Sequence, residues 1–234
     1  FALTEASNKE YRQWKSEHNS SSIRGLSLDL NDQPVSNIAW QDAALFCNWL
    51  SEKENLPKFY NVVGDRVTSI NWDSNGYRLP TESEWSWVAK VTKAGSTKVF
   101  PWNSPSYPPP FVSGNYADES AKSMLPFTIS NYNDAFPVSA SVGSFQPNEK
   151  GIFNLSGNVA EWVNDFYEIR VNKSEPLVDY RGPNTGNRHV IRGASWALGS
   201  RSELRLSYRE PGYDGKIDVG FRIARYVDKP KGDL

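Results

Sequence analysis

Cysteine, histidine and methionine are nearly absent from this 234-residue chain, which has one Cys, two His and one Met. A lone cysteine excludes an internal disulfide. It is compatible with the cytoplasm and with a periplasm-facing protein that does without disulfides. The two histidines, His18 and His189, are far apart with no HxxxH spacing. That excludes a histidine-rich transition-metal cluster, and each reads as a surface or hydrogen-bonding residue. No window approaches the roughly 18 apolar residues of a membrane helix. Charge of one sign is also missing: 26 Lys and Arg against 27 Asp and Glu leave a net charge of -1. Such a balance argues against nucleic acid and anionic membrane surfaces as partners. There is no Ser/His/Asp set, no phosphate-binding glycine loop, no internal repeat and no low-complexity stretch. No signal peptide is visible, and Phe1 is not an initiator Met, so a processed or partial product is expected.

What is present is aromatic and irregular. Nine Trp, eleven Tyr and eleven Phe accompany 16 Gly and 15 Pro. This suggests a loop-rich fold tied by large side chains, in a chain long enough for one large domain. Asn8 is read as the N-cap of a short helix with Tyr11 and Trp14 on one face. Residues 19–33 read as a loop. Residues 41–54 carry Ala43, Phe46, Cys47 and Leu50 at helical spacing, and Pro57 stops that helix. Cys47 lies on the apolar stripe as a small buried hydrophobe. Residues 59–71 read as a hairpin turning at Gly64-Asp65. Thr81 and Glu84 form a capping box for a second helix whose Trp85, Val88 and Ala89 face the core. Residues 94–150 contain no convincing helix and need a tie from outside themselves. Residues 190–196 and 219–227 read as strands, with Arg222 and Arg225 as surface or backbone-tethering residues. The Lys229–Leu234 tail is expected to fray.

One stretch organises the rest: residues 151–165, where Ile152/Phe153 and Trp162/Val163 flank a polar centre of Asn154, Gly157, Asn158 and Glu161. Buried polar atoms need partners, at a cost of a few kcal/mol without them. Side-chain oxygens of Asn and Glu, with carbonyls exposed by a glycine turn, suit a hard cation such as calcium. The plainer reading is a tight turn whose Asn and Glu hydrogen-bond backbone.

Asn154-Leu-Ser-Gly-Asn-Val-Ala-Glu-Trp162 resembles a signature of the formylglycine-generating enzyme, or sulfatase-modifying-factor, family. Arg78-Leu-Pro-Thr-Glu-Ser-Glu-Trp85 is similar to a second signature. Arg192-Gly-Ala-Ser-Trp196 followed by Gly220-Phe-Arg222 is similar to a third. The three stand in the family's order and span most of the chain. The resemblance implies an α+β, irregular, loop-rich C-type-lectin-like fold with few helices and short antiparallel strands. It implies a single domain over 1–234, truncated at its N-terminus because the family's earlier strands are missing.

The resemblance also implies two calcium sites. The first would use the side chains of Asn115 and Asp134 with the carbonyls of Tyr116 and Phe136. The second would use the side chains of Asn154 and Glu161 with the carbonyls of Gly157 and Val159. The alternative is that Asp134 and Glu161 order their loops through hydrogen bonds alone. The family's oxidase holds copper with two cysteines, three and eight residues after the serine matching Ser195. Those positions are Leu198 and Glu203 here, neither of which binds copper(I) as a thiolate does. No copper is expected, and Cys47 is on another element. Two functions follow from different classes. One is a non-catalytic binding or scaffold module for a protein, peptide or glycan. The other is an oxidoreductase-like enzyme of the pyoverdine-maturation type, with Glu203 and Ser195 as candidate catalytic residues in a region shared with Arg201, Arg205, Tyr208 and Arg209. A salt-bridged loop edge is the plainer reading of residues 200–209. By analogy with relatives, an extracytoplasmic location, periplasmic or secreted, is expected.

Overall fold

The computed structural model describes residues 1–169 and 179–227; the expected frayed tail lies outside them. Its centre is a four-stranded sheet of β5 (Ala160–Phe166), β6 (His189–Arg192), β7 (Arg209–Gly212) and β8 (Val219–Phe221), in the order β7-β6-β5-β8. β5 pairs antiparallel with β6 and parallel with β8. Two two-stranded ribbons complete the strands: β1 (Ser22–Ile23) with β2 (Leu26–Ser27), and β3 (Tyr60–Val63) with β4 (Arg66–Ile70). The helices are α1 (Asn8–Tyr11), α2 (Trp40–Lys53) and α3 (Glu82–Lys90). The fold is α+β and loop-rich.

The two longer helices cover opposite faces of the sheet. Ala43, Phe46 and Cys47 of α2 pack with Trp162, Ile191 and Phe221. Trp85, Val88 and Ala89 of α3 pack with Val163 and Val190. A strand covered on both faces loses the alternation that marks a half-exposed one. Every residue of β5 except Phe166 is buried, which is why the polar-centre reading of 151–165 did not reveal the central strand. Cys47 is fully buried, and burial pushes its thiol up, away from the reactive thiolate.

Local chemistry places the elements. Thr81 and Glu84 close the expected capping box on α3. α1 is capped by Ser7 in a box with Glu10, one residue earlier than expected. Asn8 is instead buried, its amide donating to the Leu28 and Leu30 carbonyls while its oxygen accepts from Ser20. The β3–β4 hairpin turns through Gly64, at a φ of +61° that suits glycine in a two-residue turn. The strand expected over 190–196 stops at Arg192. Gly193 follows at φ +81°, where an added Cβ would sit 3.3 Å from the Ser156 Cα. The strand expected over 219–227 stops at Phe221, and the chain then leaves β5 to pair Ala224 with Arg78. Residues 94–150 contain no α-helix, only a 3-10 turn at Glu119–Ala121.

Asp165, on β5, is 1% exposed. Its Oδ2 accepts the Glu82 amide at 2.7 Å, while its Oδ1 has no partner. Burial, as the main cause, pushes its carboxyl up to about 7. The folded state therefore holds this proton more tightly than the unfolded chain, whose Asp ionises near 4. Its contribution to stability is full below about pH 4 and is lost as pH rises through about 7, with a slope of up to about 1.4 kcal/mol per pH unit. Asp165→Asn should flatten that decline in urea unfolding curves taken across the window. A parent and variant with parallel pH profiles would refute this assignment.

Candidate functional site

The three signature segments meet at one buried ion pair. Arg222, just past β8, donates from Nε to Glu161 Oε2 at 2.8 Å and from Nη2 to Oε1 at 2.6 Å. Their side chains are 0% and 1% exposed. Trp85 of α3 donates its indole N–H to Glu161 Oε2 at 2.9 Å. The remaining Arg222 donors reach the carbonyls of Ala2, Leu3 and Phe153. Of the two roles expected for Arg222, surface or backbone-tethering, the structure shows the second: it is an interior residue that ties three backbone carbonyls and, beyond expectation, pairs with Glu161. Strand alternation could not reveal this, because the partner carboxylate lies 61 residues away.

Two further arginines repeat the device. Arg78 forks onto Glu84 with two 2.7 Å bonds. Arg192 donates to the carbonyls of Leu206 and Tyr208 and to the Ser86 hydroxyl. Both are 2% exposed. Glu84 is therefore both helix cap and ion-pair partner.

The first expected donor set is brought together. Asp134 accepts the Tyr116 amide at 3.0 Å and the Phe136 amide at 2.9 Å. Asn115 holds the Val138 carbonyl through its Nδ2, and its main-chain carbonyl accepts from Asn158. Its Oδ1 is buried without a partner. Burial first, with Asp118 adding to it, raises the Asp134 carboxyl to about 7. In the second set Asn154 Oδ1 is also buried and unpartnered, while its Nδ2 donates to Glu5. Among the described residues, none of the carbonyls of Tyr116, Phe136, Gly157 and Val159 accepts a hydrogen bond. Six of the eight expected oxygens are thus unpaired, which is the donor chemistry a hard cation takes.

The second set departs from expectation in its charge. Glu161 is already neutralised by Arg222. A second buried carboxyl, Glu5, lies beside this set; it is 1% exposed and accepts from Asn154 and Asn158. Burial pushes Glu5 up to about 7 even with Arg222 nearby. Nothing in the local sequence distinguishes Glu5; only the N-terminal segment's path through the core, with Ala6 donating to the Phe221 carbonyl, puts it there.

The candidate catalytic residues are otherwise engaged. Ser195 is fully buried and donates to Asp218 at 2.7 Å, with no histidine beside it. Glu203 accepts the Ser200 amide at 2.9 Å and the Gly199 amide at 3.3 Å, closing its own turn. Leu198 packs on the cluster of Phe100, Trp102, Tyr116, Ile129 and Leu204. Arg209 pairs with Glu82 on α3 rather than with Glu203. A groove of about 960 Å³ and a cavity of about 70 Å³ both lie elsewhere, lined by no residue of 195–209.

The Sulfatase-modifying factor enzyme 1-like domain matches residues 3–227. The chain belongs to this family. It is 27% identical over 207 residues to the formylglycine-generating enzyme of Streptomyces coelicolor, covering 86% of the chain and 55% of that protein. It is 30% identical to the chaperone protein LppX of Paenibacillus barcinonensis, covering 83% and 70%. To the inactive C-alpha-formylglycine-generating enzyme 2 of Mus musculus it is 28% identical, covering 86% and 59%. The chain spans about half the length of the formylglycine-generating enzyme from Streptomyces. Among solved structures, Treponema denticola variable protein 1 aligns with a TM-score of 0.71 at 26% identity, over 97% of this chain and 82% of that one. PvdO from Pseudomonas aeruginosa shares the fold, with a TM-score of 0.61 at 23% identity over 85% and 64%. Among the described residues no helix is long and apolar enough to cross a membrane.

Glu161→Gln would leave the Arg222 charge buried and uncompensated, and should cost about 3–5 kcal/mol in urea unfolding. Adding Arg222→Met removes that stranded charge and should recover part of the loss. A double variant as unstable as the sum of its singles would show that the pair is not coupled.

Proposed function

We propose that this chain is a non-catalytic binding or scaffold domain of the sulfatase-modifying factor family, with its long loops tied by calcium. The observation that carries the reading is the state of the former active-site loop. Leu198 packs, partly buried, against the aromatic cluster, Glu203 closes its own turn, and Ser195 is bound to Asp218. Glu203 is held by two backbone amides, Ser195 is fully buried against the Asp218 carboxylate, and neither lines the groove or the cavity, so neither is presented to a substrate. The similarity to an inactive formylglycine-generating enzyme 2 and to a protein named a chaperone supports a role without oxidation. The pyoverdine-maturation alternative rests on likeness to PvdO, which extends to the fold alone.

In the calcium reading, Asn115 and Asp134 with the Tyr116 and Phe136 carbonyls hold one ion. Asn154 and Glu161 with the Gly157 and Val159 carbonyls hold the other. Calcium would supply positive charge to oxygens that lack a hydrogen-bond donor, fixing loops with little regular structure of their own. Asp134 brings the negative charge to the first set, and Glu5, beside Asn154, adds to the second. A binding surface displayed outside the cytoplasm, where calcium is plentiful, is consistent with this tie.

Two measurements test the proposal. A cysteine peptide of the sulfatase type incubated with the protein and copper(I) should yield no aldehyde by mass spectrometry; turnover would sink the non-catalytic reading. Melting in a hundredfold excess of calcium over its Kd should occur about 5–10 °C higher than in chelator. Asp134→Asn should lose most of that gain; since its Nδ2 cannot accept the amide N–H that one carboxylate oxygen accepts, its melting should be lower in chelator too, and the readout is each protein's own shift between calcium and chelator. Identical parental melting curves with calcium and with chelator would dismiss the tie.

A further inference from the structure

The groove of about 960 Å³ has no part in the site above. It opens at the start of β6, where His189 lines it, whereas Ser195 lies beyond the other end of that strand. Three features define what it can hold. First, all five residues of β4 line it. Successive strand residues point to opposite faces, so a groove touching every one runs along the strand's edge. Among the described residues β4 pairs only with β3, so no described strand pairs with this edge. At its turn end, Gln41 stands in for one, accepting from the Val67 amide at 3.2 Å and donating to the Asp65 carbonyl at 2.9 Å.

Second, among the described residues the lining includes Arg66 and Arg181 but no Asp or Glu, in a chain whose net charge is -1. Among the described residues neither arginine makes an ion pair. Arg181 lies over the Trp72 ring at 4.4 Å, which orients its plane and leaves its N–H edges available. Third, the floor is flat and aromatic. His189 stacks on Trp40 at 3.6 Å and lies 4.3 Å from Phe166. Its Nδ1 is bonded to the Asn164 carbonyl, and burial lowers its pKa to about 4, so the ring is neutral. Asn164 Oδ1 accepts from Tyr60, leaving its Nδ2 as the donor on that floor.

We propose that this groove receives an extended acidic peptide, added as a strand along the free edge of β4. Its carboxylates pair with Arg66 and Arg181, and an apolar side chain rests on the Trp40–His189–Phe166 floor. An unpaired strand edge presents alternating N–H and C=O groups that another extended backbone satisfies. This feature favours a peptide over an acidic sugar, which would use the arginines and rings but not the edge. The inference rests on the binding reading and names the surface that does the binding.

The test is fluorescence anisotropy on the intact chain in calcium at physiological salt. The probe is a fluorescein-labelled Glu-Val-Glu-Val-Glu-Val peptide. It should bind at least about tenfold tighter than its Lys-Val counterpart. The surface variants Arg66→Ala and Arg181→Ala should each weaken it by about tenfold while leaving the melting temperature unchanged. A peptide N-methylated at alternate amides should lose binding, which probes the edge without altering the protein. Absence of binding by a protein with native melting would overturn the proposal. So would binding indifferent to N-methylation, or binding of oligogalacturonate but not the peptide. These outcomes are separable from the aldehyde assay, which alone decides whether the domain is catalytic.

Discussion

The fold depends on a guanidinium and a carboxylate placed where water does not reach. Glu161 enters from the central strand, Arg222 from the segment after the parallel strand, and Trp85 from the helix on one sheet face. Because Arg222 also holds the carbonyls of Ala2, Leu3 and Phe153, the N-terminal segment and the loop before β5 are anchored at the same point. A buried pair of this kind adds little net stability over an apolar replacement, yet leaving either half alone is costly. Its consequence is geometric: three distant segments satisfy it only in one arrangement. Arg78 with Glu84, and Arg192 with the carbonyls after residue 205, extend the same logic around α3.

A molecule with so little regular structure must satisfy its loop oxygens by other means. Along 94–150 this is done by Asx turns and shared carboxylates. Asp118 accepts from Ser120, Ala121 and Asp134, and Asp134 in turn accepts from Tyr116 and Phe136. The accounting leaves Asn115 Oδ1, Asn154 Oδ1 and four nearby carbonyls unmatched. Two of the carboxylates beside them, Asp134 and Glu5, are held toward their neutral forms by burial. Unmatched oxygens and under-compensated negative charge together are what a calcium tie would resolve.

The two ends of β6 have diverged. At its C-terminal end, in the loop that resembles the family's catalytic loop, Leu198 packs against the aromatic cluster and Glu203 closes its own turn. At its N-terminal end a groove stays open between the free edge of β4 and the Trp40–His189 stack. The proposed binding role draws on this contrast between an engaged loop at one end of the strand and an open groove, with no described Asp or Glu in its lining, at the other. His189, with little signal in the sequence, owes its role to that stack.

Much of the local structure was legible in the sequence. Helical spacing marked α2, the Thr81/Glu84 pair marked the start of α3, and Gly64-Asp65 marked the hairpin turn. Each is decided by residues within a few positions of one another. The three motifs together indicated the family and its α+β, loop-rich fold. What tertiary structure alone decided were the features that depend on long-range burial. β5 shows no alternation because both its faces are covered. Arg222 reads as a surface or backbone-tethering residue until Glu161 is placed against it. Glu5 and Asp165 look like ordinary acids until the chain encloses them, and the groove exists only because β4, β5 and β6 converge. Sequence determines which residues can cap, turn or pack nearby; the assembled core determines which charges lose their water and must find partners.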